Sequence, residues 1–130
     1  MKKYLARIIA SDQEGLQIIS ACSSGAKVKV AGIKYLKSSK VFLLSIQRTK
    51  LENDQEGKKI NSICRFDFVD KVRSKNIDQT NQEMILELIG MDYLKNNDDY
   101  EINLIFNNNA HITLTTETIE VRLEDQSELK

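Results

Sequence analysis

The chain has 130 residues, 41% hydrophobic and 29% charged, with 19 basic and 19 acidic side chains and a formal net charge of zero. That length suits one domain whose core needs no metal or disulfide staple, and the balanced charge excludes a global pull toward nucleic acid or anionic membrane. The charge is divided along the chain, however: residues 1–65 hold 13 Lys/Arg against 5 Asp/Glu, and residues 66–130 hold 6 against 14. The two halves form a surface dipole only if they end on different faces; interleaved strands would cancel it.

Residues 3–9, KYLARII, read as a short strand entering the core. Ser11-Asp12-Gln13-Glu14 has the form of a capping box, with Ser11 accepting from the Glu14 backbone and Glu14 reaching back. Leu16, Ile19 and either Ile18 or Cys22 then share a helical stripe. Gly25 is available for a left-handed cap. A helix is therefore expected over 11–23, with one face on a sheet. Met1-Lys2-Lys3 followed by Ile19 to Gly25 imitates a bacterial lipoprotein signal, but Arg7, Asp12 and Glu14 interrupt the apolar segment such a signal needs. No later segment approaches the ~20 apolar residues of a membrane span, so the cytoplasm is the expected location.

From Ala26 the period changes to two, with Val28 and Val30 alternating with Lys27 and Lys29. Ile33 to Leu36 and Val41 to Gln47 form a hairpin around Lys37-Ser38-Ser39-Lys40. Val41 to Leu44 is apolar on both faces, which predicts a central strand. Residues 48–59, RTKLENDQEGKK, have no period and predict a mobile surface loop. Ile60 to Val72 reads as one long strand, with Cys64, Phe66 and Phe68 on one face and Arg65 and Asp67 on the other. Its phase slips near Val69-Asp70, where a bulge or strand end is expected. Cys22 and Cys64 both sit among apolar residues, which predicts buried thiols rather than a disulfide.

Met84 to Leu94 fits helix or strand; Gly90 counts against helix, and a strand is expected. Lys95 to Asp99 is a turn. Tyr100, Ile102, Leu104 and Phe106 alternate, as do Ala110, Ile112 and Leu114, and Asn107-Asn108-Asn109 between them predicts a hairpin turn. Residues 115–125 leave two forms open. Ile119, Val121 and Leu123 alternate like a strand; Ile119 and Leu123 also lie one helical turn apart, behind Thr116 as cap and Glu117 in the first turn. A short closing helix near 116–124 is the expectation, with a frayed end at 126–130. The sum is a single α+β domain over 1–130. About seven mostly antiparallel strands form a curved sheet or partly open barrel, with a helix near each end, a set compatible with a pleckstrin-homology-like roll.

Three stretches taken as an ordered set carry a resemblance: ISAC at 19–22 behind the acidic capping box, RFDFVDKVRSKNID at 65–78, and the hairpin followed by IEVRLED at 119–125. Across roughly residues 3–125 the chain resembles the bacterial domain-of-unknown-function family 2948, found mainly in alphaproteobacteria. It departs from the family in having Asn107-Asn108-Asn109 where Gly is usual in the last turn, and Val121 where Ala is usual; Val favours strand over helix. The resemblance implies a small cytoplasmic protein of unassigned activity and brings no catalytic, metal or cofactor residues.

The residues themselves offer three weak chemical signals. His111, the only histidine, faces away from Ile112 toward solvent, and no close-spaced His/Cys pair anchors a metal. Arg65, Asp67, Asp70, Lys71, Arg73 and Lys75 alternate along one strand; Arg65 and Arg73 could hold an anionic ligand or a partner's carboxylate, though a solvated face with cross-strand ion pairs explains the same residues. Lys27, Lys29, Lys34, Lys37 and Lys40 could form a basic sheet face, but exposed aromatics are scarce and Lys also protects edge strands. The five glycines are isolated, which excludes a phosphate loop. The expected function is a non-enzymatic module that binds another protein or itself, using exposed edge strands. Two alternatives stand beside it. One is small-molecule or anion binding, or catalysis, in a cavity of the curved sheet onto which Arg65, Arg73 or His111 converge. The other is nucleic-acid binding through the Lys27–Lys40 face. No catalytic residue, metal or cofactor is expected.

Overall fold

Period-two alternation dictates strands over most of the chain beyond residue 25. The computed structural model describes residues 5–49 and 59–126. In chain order these form β1 (Arg7–Ala10), α1 (Gln13–Ser23), β2 (Ala26–Lys29), β3 (Ile33–Leu36), β4 (Val41–Thr49), β5 (Lys59–Phe66), β6 (Val69–Lys75), β7 (Ile85–Asn96), β8 (Asp99–Phe106), β9 (His111–Thr116) and β10 (Val121–Asp125). All ten strands belong to one antiparallel sheet of order β1-β10-β5-β4-β2-β7-β8-β9-β6, open rather than closed. β2 and β3 share one edge of β4: β2 meets it at Lys27–Gln47 and β3 pairs with residues Val41 to Leu44.

Directly paired residues point to the same side, so the register sorts the two faces. One inward row runs Ile8, Leu123, Cys64, Leu44, Ile33; the next runs Ala10, Val121, Phe66, Phe42, Tyr35. Phe42 and Phe66 meet edge to face, with ring centroids 5.9 Å apart. Helix α1 contributes Leu16 and Ile19, both fully buried, each stabilising the fold by roughly 1.5–3 kcal/mol. Its N-cap is Asp12, whose Oδ1 accepts from Gly15 N at 2.8 Å. The cap is therefore one residue later than the expected Ser11; a carboxylate serves equally well there and also complements the helix dipole. Gly25 follows the helix at φ +84°, the left-handed conformation anticipated for it.

Gly15 marks the close approach of α1 to β1. A Cβ built there would lie 2.9 Å from both Cα and Cβ of Ala10. Alanine normally favours a helix over glycine by about 1 kcal/mol, but here the clash is with main chain that cannot swing aside. Gly15→Ala is expected to destabilise by about 1–3 kcal/mol, as overpacked cores do; a urea midpoint at or above that of the parent protein would show that β1 gives way freely.

Four expectations need correction. The expected long strand over 60–72 is two strands. Phe68 takes φ +59° and turns the chain between β5 and β6. It is accordingly 44% exposed rather than on the core face with Cys64 and Phe66. A register shift between Val69 and Lys71 accounts for the slipped phase. The closing helix near 116–124 is absent: Val121 to Asp125 form β10, inserted between β1 and β5. Both neighbours offer an open edge, and a strand there satisfies them while burying Val121 and Leu123 completely. With these two changes the sheet has ten strands, against about seven expected. Finally, Arg48 and Thr49 continue β4 and Lys59 opens β5, so these three residues of the expected 48–59 loop are strand; 50–58 lie outside the described residues. At the other end, Gln126 N donates to Asn61 O at 2.8 Å, so this residue of the expected frayed end continues the pairing; 127–130 lie outside the described residues.

Candidate functional site

The three residues singled out for ligand binding are not brought together. Arg73 on β6 and His111 on β9 share the outer face of one half of the sheet, where Arg73 pairs with Thr113 and Lys75 with His111. Arg73 Nη2 lies 3.1 Å from Glu101 Oε2, and His111 is exposed. Beside them Thr113 Oγ1 donates to Asn103 Oδ1 and Asn103 Nδ2 to Asp92 Oδ1, a polar ladder over β9, β8 and β7. Arg65 lies on β5 in the other half of the sheet.

Most of the candidate lysine face is neutralised locally. Lys27 pairs with Glu87 at 3.2 Å and Lys29 with Glu83 at 3.4 Å. Lys40, at φ +58°, reaches Asp70 at 2.9 Å and Glu117 at 3.0 Å; the hydrogen bond to Asp70, then that to Glu117, raises its pKa. Only Lys34 and Lys37 of the five lack a carboxylate partner among the described residues.

Lys34 instead belongs to an arrangement made by register. Across five strands the outward row runs Lys34 (β3), Leu43 (β4), Arg65 (β5), Arg122 (β10), Ile9 (β1). Arg65 and Arg122 are direct cross-strand partners. Like charges so placed destabilise a sheet. Arg65 Nε donates to Asp67 Oδ1 at 3.1 Å. Arg122 is partly buried, its Nε is shielded from water, and it forms no hydrogen bond or ion pair among the described residues. Ile9 closes the row at 58% exposure, and Leu36, on the same face two residues beyond Lys34, is 45% exposed. The neighbouring row is conventional, with Arg7 Nε 2.8 Å from Glu124 Oε2.

The inner face holds a second constellation that sequence reasoning missed. Arg48 Nε and Nη2 contact Asp125 Oδ1 and Oδ2 at 3.0 and 2.9 Å, a bidentate pair. Ser62 Oγ donates to Asp125 Oδ1 at 2.7 Å, and Ala6 N to Oδ2 at 2.8 Å. Both charged side chains are essentially without solvent exposure. The cluster ties β4, β5, β10 and the chain before β1 into one unit; closed to solvent, it has no access for a substrate. One signal could have found it: Arg48 continues the inward phase of Phe42, Leu44 and Ile46, and Asp125 that of Val121 and Leu123.

Cys22 is partly buried and Cys64 fully buried, and neither is in a disulfide. Among the described residues no group of three or more His, Cys, Asp and Glu is placed to hold a metal, and no helix is long and apolar enough to cross a membrane. Two concavities among the described residues exceed about 300 Å3. An outer-face groove of about 650 Å3 lies where β2 leaves β4, with the paired Lys27 and Lys29 among its lining. A smaller cavity of about 360 Å3 lies between β3 and β6, with Phe42 and Ile112 among its lining. Neither contains Arg65, Arg73 or His111.

A family model described as a protein of unknown function, DUF2948, matches residues 6–130. No curated protein and no solved structure matches the chain.

Proposed function

The chain belongs to the DUF2948 family, whose description assigns no activity, and from that premise we propose that it is a non-enzymatic binding module that docks an acidic protein surface on the outer face of β3, β4, β5, β10 and β1. The observation that carries this reading is the direct cross-strand pairing of Arg65 with Arg122. Two arginines in direct cross-strand register, one with no side-chain partner among the described residues, set like charges opposite each other. A carboxylate bridging them would relieve that repulsion and form charge-assisted hydrogen bonds. Exposed Ile9 and Leu36 on the same face supply the apolar contact that arginine-centred interfaces use around such an anchor.

The charge pattern of the sheet agrees. The arginine row lies in the half built mainly from the basic N-terminal strands. β7, β8, β9 and β6 come wholly from the acidic half of the chain. β10 crosses into the basic half, and the Lys27–Glu87 pair bridges the seam, so the dipole is reduced but not abolished. Nucleic acid is a poorer fit for this surface, because three of the five candidate lysines already hold carboxylates.

Arg65→Thr/Arg122→Thr is the test. Threonine suits a strand and removes the like-charge pair, so folding stability is expected to stay level or rise by up to about 0.5 kcal/mol. Affinity capture from the host should yield a protein retained by the parent chain and lost by the variant. Calorimetry with that purified partner should show binding that weakens with salt. Equal retention by both chains would remove this reading, and a partner identical to the bait would identify self-association.

A further inference from the structure

β3 and β6 each have one neighbour in the sheet, β4 and β9 respectively. Their other edges face each other. At one end they are tied: Tyr35 Oη donates to Val69 O at 2.8 Å, and Val69 N to Lys40 O at 2.8 Å. Beyond this tie they part around the 360 Å3 cavity, which Ile33 on β3 and Val72 and Ser74 on β6 help to line. We infer that this cavity between β3 and β6 binds an uncharged, largely apolar small molecule that carries hydrogen-bonding groups along one edge.

Charge is excluded by the lining, which holds no carboxylate, ammonium, guanidinium or imidazole. An ion entering it would lose hydration without a counter-charge. The interior surfaces are apolar, and Phe42 and Ile112 belong to the core. Besides the Tyr35 hydroxyl, which is engaged with Val69 O, polar groups lie in two places. The rim carries the exposed Ser74, Gln79 and Gln82. The wall strands β3 and β6 each have one sheet neighbour among the described residues, so the backbone N–H and C=O groups of their other edges have no strand partner. A purely apolar occupant would cut those groups off from water, whereas a heteroaromatic ring or a small amide would meet them. The volume falls at the lower end of the roughly 300–1,000 Å3 usual for such sites.

The rim is already shaped. Thr80 Oγ1 donates to Asp78 Oδ1 at 2.6 Å, Asn81 N to Asp78 O at 3.1 Å, and Gln82 Nε2 to Gln79 O at 2.6 Å. Gln79 Nε2 donates to Ser74 Oγ at 3.0 Å, joining this turn to β6. A preformed site loses less ordering entropy when it binds.

The probe is N-phenyl-1-naphthylamine, a neutral aromatic amine that fluoresces in apolar surroundings. Titrated into the full chain it should give a saturable, one-site rise in emission that added salt does not change. Ser74→Phe, which sets a ring over the mouth, and Val72→Phe, which fills the gap from its wall, should each weaken binding by about tenfold or more. Arg65→Thr/Arg122→Thr should bind the probe as the parent does, which separates this site from the proposed docking face. A non-saturating signal, or unchanged affinity in the phenylalanine variants, overturns the inference. Should Val72→Phe fail to fold, Ser74→Phe, at an exposed position, decides alone.

Discussion

Asp125→Ala is expected to cost about 3–5 kcal/mol of folding stability, because it removes the bidentate carboxylate from the buried Arg48 guanidinium. The pair is bidentate, closed to solvent and shared with Ser62 and the Ala6 amide. Removing the carboxylate takes the bidentate counter-charge from a guanidinium closed to solvent, and that penalty is larger than the net worth of the intact pair. With a urea m-value of roughly 1–3 kcal/mol per molar, the unfolding midpoint should fall by well over one molar. The triple replacement Arg48→Met/Ser62→Ala/Asp125→Leu removes the charged and hydroxyl side chains of the cluster among the described residues, and it should recover most of the loss. A midpoint shift in Asp125→Ala worth less than about 1 kcal/mol, the scale of an exposed pair, would mean that water reaches the guanidinium. The same measurement bears on the fold, since this cluster fixes β10 against β5.

Alkaline pH should weaken the fold through Cys64. Burial pushes its thiol up to about 12 from its ordinary 9.0, against smaller opposite pulls from the Ser23 hydroxyl and the Arg48 charge. The native state therefore keeps its thiol proton at a pH where the unfolded chain has lost it. This contribution is fully present below pH 9 and is lost as pH rises toward 12. At 1.36 kcal/mol per unit, about 2 kcal/mol should be gone near pH 10.5. Lys40, whose raised pKa also favours the protonated native state, loses its contribution in the same direction. Comparing the parent chain with Cys64→Ala cancels the lysine and leaves the thiol. Between pH 8 and about 10.5 the parent should lose roughly 2 kcal/mol more than the variant; parallel losses would rule the thiol out. By the same physics Cys64 should resist a thiol reagent in the native state at neutral pH, with about a thousandfold less thiolate than an unperturbed cysteine.

The outward row of Lys34, Arg65 and Arg122 illustrates how far a site can be read from a chain. Arg65 was legible as an outward residue, because Cys64 and Phe66 set the inward phase on either side of it. Its partner was not. Arg122 lies 57 positions later, in a segment that fits a helix or a strand equally well. The two become neighbours only because β10 enters between β1 and β5. His111 and Arg73 were also placed correctly as outward residues, but which half of the sheet they share follows from strand order, and that order is set by pairings between distant segments. The cavity between β3 and β6 has no local signature at all. It exists because two edges that belong to strands 33–36 and 69–75 come to face each other.

Local chemistry by itself determined the hairpin of β8 and β9. Alternation set its faces, and Asn108 and Asn109 both take φ +59° in its turn, as the short Asn cluster required. It also determined α1, closed by a glycine in the left-handed region, the β3–β4 hairpin, and the strand that Gly90 argued for, expected over Met84 to Leu94 and running from Ile85 to Asn96, two residues into the expected turn. In each of these the deciding interactions join residues a few positions apart, so the information lies within one window. The tertiary structure alone decided the state of Val121 to Asp125, the burial of Arg48 and the separation of β5 from β6. In those places local preference was nearly balanced, or a charge argued for the surface. The free energy was settled by open strand edges and by a counter-ion 77 residues away.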